Sequence, residues 1–293
     1  MTVTLGEGGT PLLAAPRLSE QLGVELWLKW DGANPTGSFK DRGMAVAVTR
    51  ALEAGATGIV CASTGNTAAS AAAYAARAGL HAVVLTARGG AARGKVAQVR
   101  AAGGEIREVD GSFDDAHREA RRLAAQEGFV NVNSINPDRI EGQSGAAAEV
   151  VEQLGGLPDV LALPFGGGGN TVAYAQGFTG LGFGERLPRF LLGEAARRRD
   201  TFASAIRIVE PVHRAEVDKV LERSGGSVVT LAEEQLEHAW KTLVREEGLF
   251  CEPASAAGIA AVEASRPEPG SRVVCVITGH GLKDPDAVER AMG

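Results

Sequence analysis

Lys40 stands in Gly37-Ser38-Phe39-Lys40-Asp41-Arg42-Gly43, directly after the turn-rich stretch 31–36. A helix capped by Ser38 and running through Ala54, with Gly55 behind it, puts this lysine in the first turn. A cation is disfavoured at that end of the helix dipole, so the amine gives up its proton more readily, as a nucleophilic lysine must. Taken alone, an ordinary surface lysine is the plainer reading. Four other loops carry polar residues beyond what a turn needs. In the first, Ser63, Thr64, Gly65, Asn66 and Thr67 run into an alanine-rich helix. Free N–H groups and hydroxyls converge there on a site for a carboxylate or phosphate, against the simpler alternative of an N-cap by Thr64 or Asn66. In the second, Gly166, Gly167, Gly168 and Gly169 precede Asn170, and four glycines let backbone N–H groups surround an anion such as phosphate. Thr171 falls where a dinucleotide fingerprint needs its last glycine, which argues against a nicotinamide cofactor.

The third loop, Asn133 to Gln143, offers Asn133, Ser134 and the fork of Arg139, suited to a carboxylate or phosphate. In the fourth, Thr278 ends an apolar run, and its hydroxyl can meet a ring nitrogen; a turn around Gly279 and Gly281 is the plainer alternative. The stretch from Gly89 to Lys95 imitates a nucleotide phosphate loop, but Val96 replaces the magnesium-binding hydroxyl, so it is read as a helix start.

The elements that must position these loops follow from periodicity. Val24, Leu26, Leu28 and Trp30 alternate with Glu25, Trp27 and Lys29, which predicts a half-buried strand opening the fold. Short apolar runs (GIVCAS, HAVVLT, EIREVD, FVNVNS, DVLALP, VVCVIT) then alternate with helix-spaced segments from Asn66, Gly94, Asp114, Glu141, Thr171, Leu231 and Pro253. That alternation predicts an α/β protein with parallel sheets, whose ligands sit at the C-terminal ends of the strands. The polar loops all fall at such ends.

Composition narrows the function classes. Against 36 acidic residues the chain has 30 Lys and Arg, a net charge of −6, and its one basic run is Arg197-Arg198-Arg199. Clustered cations for a nucleic-acid backbone are lacking. No apolar stretch approaches the roughly 20 residues of a membrane span, and no basic leader precedes an apolar run, so a cytoplasmic protein is expected. Cys61, Cys251 and Cys275 are odd in number and two lie in apolar runs, as reduced thiols do. The five histidines show no metal-ligand spacing, and no metal is expected.

A lysine, a glycine phosphate cup, a polar anion loop and a strand-end hydroxyl together describe a pyridoxal 5′-phosphate site, since that cofactor needs an amine, a phosphate anchor and a partner for its ring nitrogen. Through GGTPL (8–12), NPTGSFKDR (34–42), ASTGNTAAS (62–70), NSINPDRIEGQ (133–143), FCEPASAA (250–257) and TGHGLKDP (278–285) the chain resembles the threonine synthases among the fold-type II pyridoxal-phosphate enzymes, over nearly its whole length. The resemblance implies two open parallel-sheet domains of the tryptophan synthase β-like architecture, with the cofactor in the interdomain cleft. Residues 36–128 would form a smaller domain and residues 1–35 and 129–293 a larger one. It implies that Lys40 is the Schiff-base lysine and that Asn66 faces the cofactor's 3′-oxygen. Gly166 to Asn170 would hold its phosphate, and Thr278 would meet its ring nitrogen. Ser63, Thr64 and Thr67 would take the substrate's α-carboxylate, and Asn133, Ser134 and Arg139 a leaving phosphate. The implied reaction converts O-phospho-L-homoserine and water to L-threonine and phosphate by γ-elimination and β-addition; a homodimer is compatible with it. Two departures keep other chemistry open. Gly167 stands where the family usually carries the first asparagine of Gly-Asn-x-Gly-Asn, and the segment after RFLLGEA, around Arg197 to Arg199, is shortened. The alternatives are an O-phosphoserine-using synthase, a threonine or serine dehydratase and, from a different class, a non-catalytic amino-acid-binding relative, for which a Schiff-base lysine has no use.

Overall fold

The computed structural model describes residues 2–63, 65–87, 93–126, 128–183 and 186–292. The chain starts with a three-residue strand β1 (Leu12–Ala14), a helix α1 (Pro16–Leu22) begun by proline, and β2 (Glu25–Trp30). There follow α2 (Lys40–Glu53), β3 (Gly58–Ala62), α3 (Asn66–Ala78), β4 (His81–Ala87), α4 (Arg93–Ala101), β5 (Glu105–Val109), α5 (Phe113–Gln126) and β6 (Phe129–Asn131). The long α6 (Pro137–Leu154) leads to β7 (Val160–Pro164), α7 (Gly169–Gly180), β8 (Arg189–Ala195), α8 (Arg214–Ser224) and β9 (Ser227–Leu231). The chain closes with α9 (Glu233–Glu246), a 3-10 turn (Pro253–Ala256), α10 (Ala257–Ser265), β10 (Arg272–Ile277) and α11 (Pro285–Met292).

Contacts divide the chain into two units, one made of Met1–Glu7 and Asn34–Gln143, the other of Gly8–Ala33 and Ser144–Gly293. The first holds a four-stranded parallel sheet in the order β5-β4-β3-β6. The second holds six strands in the order β1-β2-β10-β7-β8-β9, parallel except for β1, which pairs antiparallel with β2. Parallel strands buried on both faces need continuous apolar runs, and Gly58–Ala62 is buried at every residue. Alanines Ala68, Ala69, Ala71, Ala72 and Ala75 let α3 lie close to its neighbours α2 and α4. Among the described residues no helix is long and apolar enough to cross a membrane.

Two expectations need correction, and one pair of elements goes unread in the sequence. The fold opens on β1 and α1 and not on the strand at Val24: a three-residue edge strand has no alternation to read. The pair α8 and β9 also escapes the sequence, because Ser227–Leu231 is half-buried over most of its length at the sheet edge. And α2 is not capped by Ser38; Phe39 precedes its first residue, without a side-chain cap. The turn before it is held instead by Asp41, whose carboxylate accepts from the Thr36 N–H and hydroxyl, each at 2.6 Å. Lys40 is thereby the first residue of its helix. Of the stretch read as a helix start at Gly89 to Lys95, residues 89–92 lie outside the described residues, and α4 begins at Arg93.

In the first unit α2 and α6 approach through two glycines. A Cβ on Gly43 would lie 2.4 Å from the Arg139 carbonyl oxygen, and one on Gly142 would lie 2.4 Å from that of Arg42. The obstructing atoms are backbone, so neither can swing aside. Gly142→Ala is expected to push the helices apart and destabilise the protein by about 1–3 kcal/mol, the usual range for overpacking, measured as a shift in denaturant midpoint. A midpoint equal to that of the parent would mean the helices part without resistance.

Candidate active site

In the first unit, the C-terminal ends of β3 and β6 and the start of α2 carry most of the residues singled out by the sequence. Lys40 is half-buried, with Nζ 4.2 Å from the Phe39 ring centroid. After β3, the Ser63 N–H donates to the Leu85 carbonyl at 3.1 Å, and its Oγ accepts from Gly65 N–H at 3.1 Å. Gly65, without a side-chain cap, precedes α3, so Asn66 does not cap it in the expected way. Asn66 is buried at the first position of α3 and Thr67 half-buried at the second, where helical N–H groups have no partner within the helix. Thr64 lies outside the described residues.

After β6, Asn133 is buried and uses its amide twice: Nδ2 donates to the Ala62 carbonyl at 2.9 Å and Oδ1 accepts from Ala62 N–H at 3.0 Å. This side chain continues the β3–β6 pairing beyond β6. Asn136 closes the same loop, donating from Nδ2 to the Asn131 carbonyl at 3.0 Å and accepting from Asp138 N–H at 2.8 Å. Ser134 is half-buried between them. Arg139, in the first turn of α6, has no exposed surface. Its Nη1 donates to the Val132 carbonyl at 2.9 Å, while Nε and Nη2 find no partner among the described residues. Burial lowers its pKa to about 10, opposed by Cys61 and Asp41, which leaves the guanidinium charged at neutral pH. A buried cation with two unused donors costs stability unless an anion meets it. Cys61 itself is pushed up to about 12 by burial and stays a neutral thiol.

The second unit holds the glycine run and Thr278. Gly168 adopts φ +88° and precedes α7, and a Cβ there would lie 2.8 Å from Val217. At Gly166 and Gly167 an added Cβ would come no closer than 3.4 and 3.6 Å to Ile208 Cδ1. Gly169 and Asn170 are the first two residues of α7, where N–H groups have no acceptor within the helix. Two buried polar atoms beside them, Asn170 Nδ2 and Thr171 Oγ1, have no partner among the described residues. Backbone N–H groups at a helix start, an amide and a hydroxyl left without partners among the described residues have the donor chemistry that the phosphate of the implied cofactor needs. The sequence alone does not pick out Thr171 for this cup; its signal is the helix start. The shortened segment after β8 uses Arg198 locally. Arg198 pairs with Glu194, donates to the Ile208 carbonyl at 2.6 Å and lies over the Phe165 ring.

The strand-end hydroxyl belongs to Thr278, buried directly after β10. Its Oγ1 lies 3.1 Å from Ser255 Oγ in the 3-10 turn Pro253–Ala256. Ser255, fully buried, also accepts from Gly279 N–H at 3.1 Å. The sequence does not single out Ser255, because a serine among alanines reads as helix filler.

Thr171→Val keeps the shape and removes one hydroxyl. A hydrogen bond to a charged group contributes about 1.5–3 kcal/mol, so cofactor affinity is expected to fall about ten- to hundredfold. The cofactor-free protein should melt no lower, since the hydroxyl removed is buried and has no partner among the described residues. Equilibrium dialysis and thermal melts read the two effects; unchanged affinity would take Thr171 out of the cup.

A family model described as pyridoxal-phosphate dependent enzyme matches residues 3–279. The chain is 48% identical to a threonine synthase of Mycobacterium leprae over 309 residues, covering 99% of this chain and 86% of that one. It is 46% identical to a threonine synthase of Bacillus sp., covering 97% and 86%, and 43% identical to one of Methanocaldococcus jannaschii, covering 99% and 78%. Among solved structures it is similar to maize serine racemase, with a TM-score of 0.83 at 23% identity over 97% of this chain and 91% of that one. It is also similar to the processed form of threonine deaminase isoform 2 from Solanum lycopersicum, with a TM-score of 0.82 at 22% identity over 97% of this chain and 82% of that one.

Proposed function

The chain belongs to the pyridoxal-phosphate dependent enzymes and, within them, to the threonine synthases, and from that premise we propose that it converts O-phospho-L-homoserine and water to L-threonine and phosphate. The observation that carries this reading is identity of 43–48% to threonine synthases over nearly the whole chain. Likeness to the racemase and the deaminase, at 22–23% identity, speaks for the fold alone.

The cofactor supplies an electron sink for carbanions at the substrate's α- and β-carbons. Lys40 would hold it through Nζ, Asn66 would face its 3′-oxygen, the run Gly166 to Asn170 with Thr171 would take its phosphate, and Thr278 would meet its ring nitrogen. The Lys40 amine then moves protons at the substrate's Cα and Cβ as general base and acid. Ser63, Thr64 and Thr67 receive the α-carboxylate. Arg139 and Ser134 take the phosphate that leaves from Cγ, and Asn133, with its amide committed to Ala62, positions their loop. Gly167 contributes no side-chain amide to the cofactor's phosphate. Three free, buried cysteines support a reducing cytoplasm, and the net charge of −6 weighs against a nucleic-acid partner.

The test is phosphate and threonine production from O-phospho-L-homoserine against O-phospho-L-serine. Turnover of phosphohomoserine with equal yields of phosphate and threonine is expected. Preference for phosphoserine would move the enzyme to a β-replacement reaction.

A further inference from the structure

We propose that Ser255 is a positioning residue that fixes the direction of the Thr278 hydroxyl, so that Thr278 presents a hydrogen and not a lone pair to the cofactor's ring nitrogen. This rests on the assignment of Thr278 to that nitrogen. A serine hydroxyl has one hydrogen to donate and two lone pairs to accept. One lone pair of Ser255 is taken by Gly279 N–H at 3.1 Å. Its hydrogen has two places to go: Thr278 Oγ1 at 3.1 Å, or the Gly279 carbonyl at 3.4 Å. The second, at 3.4 Å against 3.1 Å, is longer than the first and further from the usual ~2.5–3.0 Å of a hydroxyl donor, and that carbonyl already accepts from Glu252 N–H at 3.0 Å. The shorter choice sends the Ser255 hydrogen to Thr278. Thr278 then accepts from Ser255 and turns its own hydrogen outward. A donor in that place favours a ring nitrogen without a proton.

The reverse arrangement would have Thr278 donate to Ser255 and offer only lone pairs, which suits a protonated ring. The two directions therefore assign opposite protonation to the same nitrogen. Burial keeps water from substituting for either partner: Ser255 has no exposed surface and Thr278 is 6% exposed.

Ser255→Ala also strips Gly279 N–H of its acceptor, which is a structural loss in any background. A double-mutant cycle separates this from action through Thr278. Cofactor dissociation constants are measured by rebinding to the cofactor-free protein for the parent, Ser255→Ala, Thr278→Val and the pair. Ser255→Ala is expected to weaken binding about three- to tenfold with Thr278 present, the loss of roughly one net hydrogen bond, and to change nothing further in Thr278→Val. The pH at which the bound cofactor's visible band shifts should move downward in Ser255→Ala, because a ring nitrogen that holds a proton more easily draws electrons from the conjugated Schiff base and makes it give up its own proton sooner. Equal losses in both backgrounds, with an unmoved band, would overturn the proposal while leaving the role of Thr278 standing. If Thr278→Val alone changed neither affinity nor band, the assignment of Thr278 would fall and this proposal with it. Should Ser255→Ala not fold, Ser255→Cys keeps the volume with a weaker donor and carries the same comparison.

Discussion

Lys40→Ala is expected to abolish turnover and to leave the cofactor bound only through its phosphate and ring contacts. Proton transfer by a positioned base contributes about 10²–10⁴-fold, and the covalent hold on the cofactor is lost with it. Lys29, which unlike Lys40 is fully buried, is ill placed to substitute. It donates to the Thr10 carbonyl at 2.7 Å and to Gln153 at 2.9 Å and pairs with Glu149 at 2.7 Å, which ties it to the N-terminal GGTPL segment. Lys95, in α4, lines a small pocket with Ser63 and Thr86 and so lies near one of the candidate loops; covalent labelling tells it apart from Lys40. Borohydride reduction followed by peptide mass mapping reads the outcome. The parent should carry the reduced cofactor on the peptide with Lys40, and Lys40→Ala should carry none. Label on another lysine in the parent, or normal activity in Lys40→Ala, would sink the mechanism.

The parts of this fold that are legible in the sequence are those whose signal is local. Strand β2 shows its alternation, and β3, β7 and β10 show apolar runs bounded by glycine or polar loops. The loops around Ser63, Gly166 and Asn133 stand out because glycine, hydroxyl and amide residues accumulate where a turn needs few of them. Strand β1 is not legible, since three residues pairing at a sheet edge have no period. The start of α2 is misread because Asp41, and not Ser38, holds the preceding turn, a choice made by the folded chain. Ser255 and Thr171 draw their meaning from burial beside Thr278 and beside the glycine run, and burial is a tertiary property. Asn133 is legible as a polar loop residue, but not its double bond to Ala62.

Arg139 is the residue on which the phosphorylated substrate depends most, and Arg139→Leu is expected to separate binding from scaffolding. Replacing a buried cation whose donors are only partly met by an apolar side chain is often neutral or stabilising. Against that, the Val132 carbonyl loses its donor at 2.9 Å, a loss of about 1–3 kcal/mol. The melting temperature should therefore change little. Turnover should not follow it: charge-assisted contacts contribute about 1.5–3 kcal/mol, so kcat/KM for phosphohomoserine should drop about ten- to hundredfold. Vinylglycine, which has no phosphate to lose, should be processed almost as by the parent, with the cofactor's colour intact. The parent's pH profile bears on this as well. Burial lowers the guanidinium's pKa, yet an arginine stays charged across the working range, so kcat/KM for phosphohomoserine should show no alkaline limb that vinylglycine lacks. If Arg139→Leu impaired both substrates equally or released the cofactor, the residue would be scaffolding for the loop after β6, and Ser134 would be left as the phosphate's side-chain donor in that loop.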